Sequence, residues 1–453
     1  MSAPGPDPAK IRELAGSMAR YRPDMVRELA ALCAIPSVAG PSEDGAPYGR
    51  ETRRALDHFL DLGRQLGFHS VNLDNRAGYV EFGSGEHLVA ALCHLDVVPA
   101  GDGWDGDAFS PVILPDRLIA RGAADDKGPA IAVLYAMKDL MNQGFKPRGR
   151  IRLIVGLDEE RGSSCMAHYA RTAQLPDAGF TPDADFPVIY AEKGLCWVTF
   201  TVTGGQPAGD PLRLVAAEGG ASPNMIPGRC RLTFNGPSGR EDVRCDGALG
   251  HASMPWLGRN AISLAMQEAD RRLAEALCSH PFVRFYQQAI GDDWHGTGLH
   301  IAQSDASGPL TFNAGRLYLE EGRAVLTADI RYPVSCPFGE LEQQMRETAA
   351  RLGAVVAIEK NIPPLHLPRE SFVIRTLNAV YNRLTGSNAE PVAIGGGTYA
   401  RTMPNIAAFG AAFPGQPETA HQAGEHIEIN AWLASAAIYR HALAELAAPS
   451  QDF

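Results

Sequence analysis

Apolar residues recur along this chain at two different periods, and the switch between them divides the sequence into elements. Two helix-like segments open it, and a third at 49–68, GRETRRALDHFLDLGRQLGF, repeats apolar positions every three or four residues, which predicts an amphipathic helix. LVAALC at 88–93 has the continuous apolar pattern of a buried strand, GPAIAVLYAMKDLMNQG at 128–144 that of an apolar helix, and RIRLIVGL at 150–157 that of a second strand. This alternation predicts an α/β fold with a mostly parallel sheet covered by helices.

After EKG at 192–194 the period changes. WVTFTVTG and later GRLYLEEGRAVLTADIRYP alternate by two, with the helical NAISLAMQEADRRLAEAL between them, so an α+β domain with antiparallel strands is expected. From about Leu367 helical and Gly-rich loop patterns return, ending in AWLASAAIYRHALAELA. The expected division is therefore 1–195 and 367–453 for one domain, with 196–366 inserted into it. No internal repeat or low-complexity tract interrupts this pattern.

With 453 residues there is room for two or three cores, and the net charge of -11 excludes nucleic acid and anionic membrane as natural partners. A small molecule or short peptide fits better. The N-terminal segment lacks the apolar core of a signal peptide, no run has transmembrane length, and the eight cysteines form no CxxC pair. These features are those of a cytoplasmic protein with reduced thiols.

Candidate chemistry concentrates at strand ends and in loops. His94 and Asp96 stand two residues apart, so on a strand they face one side, at the carboxyl end where α/β proteins place their sites. Asp125/Asp126, Asp158/Glu159/Glu160, Asp183 and His421 complete the set. Singly, such residues are ordinary solvated loop and capping groups. Together they supply what a pair of divalent ions ~3.5–4 Å apart requires, a bridging carboxylate flanked by His and Asp/Glu ligands. Three carboxylates and one hydroxide would balance the four positive charges. GGGT at 395–398 lacks the Lys-Ser/Thr of a phosphate loop and the spacing of a dinucleotide fingerprint, which excludes nucleotide binding there.

HLD, ADDKG, DEERGS, TPDADFP and a late HQA, in that order over nearly the whole chain, resemble the M20 metallopeptidases, in their branch of PepV-like bacterial dipeptidases. The resemblance implies that Asp125 bridges two metals, that His94 and Asp183 complete one and that Glu160 and His421 hold the other. It implies that Glu159 is the general base acting on a metal-bridging water, and that Asp96 hydrogen-bonds His94 to set its tautomer. Asp126 and Asp158 have no role in it, and local loop and helix-start hydrogen bonds are expected of them. Zinc is the first expectation for both ions, with manganese and cobalt also suited to this ligand set.

The inserted domain would be a lid. By the same resemblance His251, in GHASMPWLGRN, polarises the scissile carbonyl, while Asn224, Arg331, Gly396 and Thr398 contact substrate. Arginine suits a terminal carboxylate because its planar fork can grip both oxygens. A lid of this length resembles that of the family's monomeric dipeptidases, which implies a monomer, a homodimer being the alternative. The expected activity is cleavage of dipeptides bearing a free C-terminal carboxylate. An N-acyl-amino-acid amidohydrolase of the same family, or a non-catalytic amino-acid-binding protein on a decayed peptidase scaffold, is the alternative.

Overall fold

The computed structural model describes residues 5–320 and 322–448. Residues 1–4, 321 and 449–453 lie outside the described residues. The chain divides into two compact units, one formed by Met1–Tyr190, Leu367–Val392 and Gly397–Phe453, the other by Ala191–His366 and Ala393–Gly396.

In the first unit the strands run in the order His69–Leu73, Ala77–Gly83, Arg150–Gly156, Leu88–His94, Ala178–Thr181, Ile406–Phe409 and Val188–Glu192. The three central pairings are parallel, and antiparallel strands flank them on both sides. The sheet is thus parallel where the βαβ pattern was legible and mixed overall, because a tight Asp74–Arg76 turn adds a hairpin at one edge. Every residue of Leu88–His94 is buried, as the apolar run requires. Lys127–Asn142 packs on the strands Leu88–His94 and Arg150–Gly156, and Ile429–Leu446 packs on that helix. Pairing of His94 with Gly156 brings two strand ends side by side. A Cβ at Gly156 would lie 2.1 Å from the Tyr399 hydroxyl, so glycine there lets Tyr399 pack edge-on to the His94 ring.

The second unit is a seven-stranded antiparallel sheet in the order Gly239–Asp246, Arg229–Gly236, Arg213–Gly219, Thr311–Glu320, Arg323–Tyr332, Gly194–Thr203 and Ala354–Ile362. Val198, Phe200 and Val202 of one strand alternate inward with Leu326, Ala328 and Ile330 of its neighbour, against the helices Ala261–Glu275, Pro281–Ala289 and Phe338–Arg351. The period of two therefore marks strands with one buried face. Among the described residues no helix is long and apolar enough to cross a membrane, and all eight cysteines are free thiols.

Candidate metal centre

Five loops of the first unit bring together the donor atoms expected of a metal site. His94 ends its strand; Asp125 immediately precedes Asp126, the residue that opens the helix Lys127–Asn142; Glu159 and Glu160 start a single helical turn after the adjacent strand. Asp183 follows the strand Ala178–Thr181, and His421 comes from the C-terminal segment with φ +62°, a left-handed conformation that costs a β-carbon residue about 1 kcal/mol.

The Asp125 carboxylate occupies the middle. Its Oδ1 lies 2.8 Å from His94 Nε2, and that nitrogen is 3.8 Å from Asp183 Oδ2. Its Oδ2 lies 3.0 Å from His421 Nε2, which is 2.8 Å from Glu160 Oε1. Each oxygen of one carboxylate thus faces its own histidine, and each histidine its own further carboxylate. Ligand atoms of His94, Asp125 and Glu160 all fall within 4.8 Å of one another, so the two halves are contiguous. A donor set of two imidazoles and three carboxylates fits hard-to-borderline divalent cations.

Charge balance points the same way. Among the described residues no arginine or lysine pairs with Asp125, Glu159, Glu160 or Asp183; the nearby Lys127 ammonium is spent on the carbonyls of Leu32 and Ile35. Burial pushes the Glu159 carboxyl up to about 8, and the negative charges of Glu160, Asp96 and Asp125 add to the effect. Burial likewise raises Glu160 and Asp183, with Asp125 the chief like charge beside each. For His421 burial works downward, but hydrogen bonds with Asp125 and Glu160 carry the imidazole up to about 11. The cluster holds more negative charge than its two histidines can offset.

Asp96 differs from expectation. His94 Nδ1 is bonded to the backbone carbonyl of Asp96 at 2.9 Å, while the carboxylate stands 3.6 Å from the ring. The two carboxylate oxygens instead accept the amides of Glu159 and Glu160, at 3.1 and 3.2 Å. Those amides open a helical turn and have no intrahelical acceptor, so they compete successfully for the buried carboxylate. Asp96 therefore ties the His94 strand end to the turn carrying both glutamates.

Asp158 behaves as expected, accepting from Ser164 N and Oγ and from Cys165 N at the start of the next helix. Asp126 does more than that: fully buried, it accepts the amide of His94 at 3.0 Å and so fixes the strand end. Glu159 has no partner for its carboxylate among the described residues, which leaves it available to a water.

In the second unit His251 pairs across a short bridge with Met225, and its Nδ1 accepts the Ser253 amide at 3.3 Å with the Ser253 hydroxyl at 2.7 Å. An accepting Nδ1 puts the proton of the neutral ring on Nε2. The Asn224 backbone carbonyl accepts Ala252 N at 2.9 Å, extending the same bridge. Buried Arg331 is held by Asp329 through Nε at 2.6 Å and Nη2 at 2.9 Å, and Nη1 donates to the Gly395 carbonyl at 3.0 Å. Gly396 follows in that loop, while Thr398, in the first unit, caps the turn Tyr399–Thr402.

A buried residue that the motifs did not single out also belongs to the centre. Glu425 accepts the amides of Ala124 and Asp125 at 2.9 and 3.2 Å and pairs with Arg121 at 2.6 Å. Its only trace in the sequence is its place four residues after His421.

Residues 90–445 match peptidase family M20/M25/M40. The chain is 35% identical to the Bacillus subtilis protein named "Putative dipeptidase YtjP", over 94% of this chain and 98% of that one. It is 32% identical to a Staphylococcus epidermidis protein named "Putative dipeptidase", over 93% and 97%. The fold is that of human carnosine dipeptidase 1, with a TM-score of 0.60 at 14% identity, over 98% of this chain and 100% of that structure. The chain belongs to peptidase family M20/M25/M40 and is a metallopeptidase.

Proposed function

We propose that the chain is a two-metal dipeptidase of the cytoplasm whose substrate ends in a free α-carboxylate. The observation that carries this is the Asp125 carboxylate, each of whose oxygens faces a separate histidine and carboxylate. The relatives that align over nearly their full length carry dipeptidase names, which supports the substrate class.

In this proposal His94, Asp125 and Asp183 would hold one divalent ion and Asp125, Glu160 and His421 the other. Two such ions, zinc first among the candidates, would supply Lewis acidity toward the attacking water. Glu159 takes the proton of that water and returns it to the leaving amine. Asp96 keeps Glu159 in reach by holding its backbone amide. His251 donates from Nε2 to the developing oxyanion, and His251→Ala should lower kcat by about 10²–10³-fold without changing metal content.

Arg331 is the carboxylate clamp, with Asn224 and the Gly396–Thr398 loop beside the substrate. Asp329 and the Gly395 carbonyl already fix three of its nitrogens' directions, so the clamp is preorganised and little ordering accompanies binding. The test compares kcat/KM for one dipeptide and its C-terminal amide, on wild type and on Arg331→Ala. Wild type should prefer the acid by more than about 10²-fold, since the amide cannot accept, as a carboxylate would, from the guanidinium N–H groups that Asp329 and the Gly395 carbonyl leave over. Arg331→Ala should narrow that gap; equal rates on wild type would remove the clamp.

A further inference from the structure

We infer that Glu425, backed by Arg121, is a positioning residue that sets the bridging carboxylate Asp125 for both metals at once. The inference rests on the two-metal proposal and adds a residue outside the ligand set.

The geometry is unusually direct. Glu425 Oε1 accepts two consecutive amides, Ala124 N at 2.9 Å and Asp125 N at 3.2 Å, so it grips the backbone of the bridging residue. The other oxygen, Oε2, takes the Arg121 guanidinium at 2.6 Å, with both side chains almost wholly buried. The backbone of Glu425 is itself tied down, its carbonyl accepting Ala120 N at 3.0 Å. Arg121 reaches further, donating to the Ala100 carbonyl at 2.9 Å and lying over the Trp104 ring at 5.3 Å, while Trp104 Nε1 donates to that same carbonyl.

Three chain segments therefore meet on one ion pair: the loop following His94, the turn that presents Asp125, and the segment following His421. One oxygen accepting two adjacent amides fixes the position and the tilt of the peptide that carries the Asp125 side chain. A tilt of that peptide moves both Oδ atoms together. Loss of the grip should therefore weaken both metals, whereas loss of Glu160 should weaken only one.

A lone Glu425→Ala would leave Arg121 charged and unpaired in the interior, which is costly in its own right. The informative variants are therefore Arg121→Met/Glu425→Ala, which removes the charge and the acceptor, and Arg121→Met/Glu425→Gln, which removes the charge but keeps an amide oxygen for the Ala124 and Asp125 amides. Each full-length protein, stripped by chelation, is titrated with cobalt(II), following heat and the visible ligand-field absorbance, with far-ultraviolet circular dichroism to confirm the fold. Wild type should take up two equivalents. The Ala variant should bind both about 10–100-fold more weakly with a changed absorbance, the usual cost of losing a group that orients a ligand, and the Gln variant should recover most of that affinity.

Unchanged affinity in the Ala variant, weakening of one equivalent alone, or a Gln variant as weak as the Ala variant would each overturn the inference. A wild type that binds only one equivalent would instead overturn the two-metal proposal beneath it. Should the Ala variant fail to fold, the Gln variant decides alone: two equivalents with near wild-type affinity support the role of the acceptor oxygen, and loss of both despite a native fold overturns it.

Discussion

Two buried carboxylate clusters in the first unit make opposite use of charge. Asp139, fully buried, receives Arg20, Arg440, Tyr21 and Gln143, and so ties the N-terminal segment and the helices Lys127–Asn142 and Ile429–Leu446 together. Burial disfavours its ionisation, but hydrogen bonds from Arg440, Arg20 and Tyr21 win and hold it below the ordinary carboxylate value. Around Asp125 the carboxylates of Asp183, Glu159 and Glu160 meet each other and two histidines and pair with no arginine or lysine among the described residues, and all three are raised. A buried acid surrounded by fixed cations holds the fold together. A group of buried acids short of cations awaits mobile ones.

The comparison can be tested at both ends. The largest expected effect is on turnover: Glu159→Gln should reduce kcat by at least ~10²–10⁴-fold while two metals stay bound and thermal stability holds, as steady-state kinetics and elemental analysis would record. Turnover near wild type would dismiss Glu159 as the base. Asp139→Ala should do the reverse, costing about 3 kcal/mol in a denaturant titration with kcat and metal content kept in the fraction that remains folded. That figure is at the low end for breaking a buried pair because the Arg20 side chain is half exposed. A variant that loses metal would mean the two clusters are not independent.

Chelation should lower the stability of wild type by about 3 kcal/mol for each ion removed, relative to protein in metal at a hundredfold excess over Kd. The same treatment should shift Asp139→Ala by an equal amount, and differential scanning calorimetry with and without chelator would show whether the effects add.

The smallest effect has the sharpest sign. In metal-free protein at neutral pH, Asp183→Asn should raise stability, since burial and the neighbouring Asp125 charge disfavour the charge that the mutation removes. Asp183 is raised in the folded state, so its penalty is present at neutral pH and fades as the pH falls through the folded value. Asp139 is depressed, so its contribution is present above the ordinary carboxylate value and is lost as the pH falls through the folded one. Urea titrations across the acid range should therefore show the advantage of Asp183→Asn shrinking first and the deficit of Asp139→Ala shrinking lower still. An Asp183→Asn variant less stable than wild type without metal would break the contrast.

How much of this was legible in the sequence depends on how local each signal was. The buried strand LVAALC and the period-two strands of the second unit follow from side-chain patterns alone, and the structure has them. The hairpin His69–Leu73 with Ala77–Gly83 lacks a clean apolar alternation, with His69 and Asn72 exposed, and its antiparallel edge escaped the βαβ pattern. Donor types and order made His94, Asp125, Asp183, Glu160 and His421 candidates, and the fold collects them. What Asp96 and Glu425 hold could not be seen, because their partners are backbone amides, which every residue carries and no motif records.

The order of these residues along the chain also bears on how the protein is made. His94, Asp125, Glu160 and Asp183 leave the ribosome first, whereas His421 and Glu425 follow 238 and 242 residues after Asp183. At translation rates of roughly 5–20 residues per second, that interval lasts on the order of 10–50 seconds, filled largely by synthesis of the second unit. Throughout it a nascent chain carries a half-assembled acidic pocket with neither its last imidazole nor the carboxylate behind Asp125. The proposed hydrolase would thus stay inert beside other emerging peptides until His421 and Glu425 had been made and had folded back.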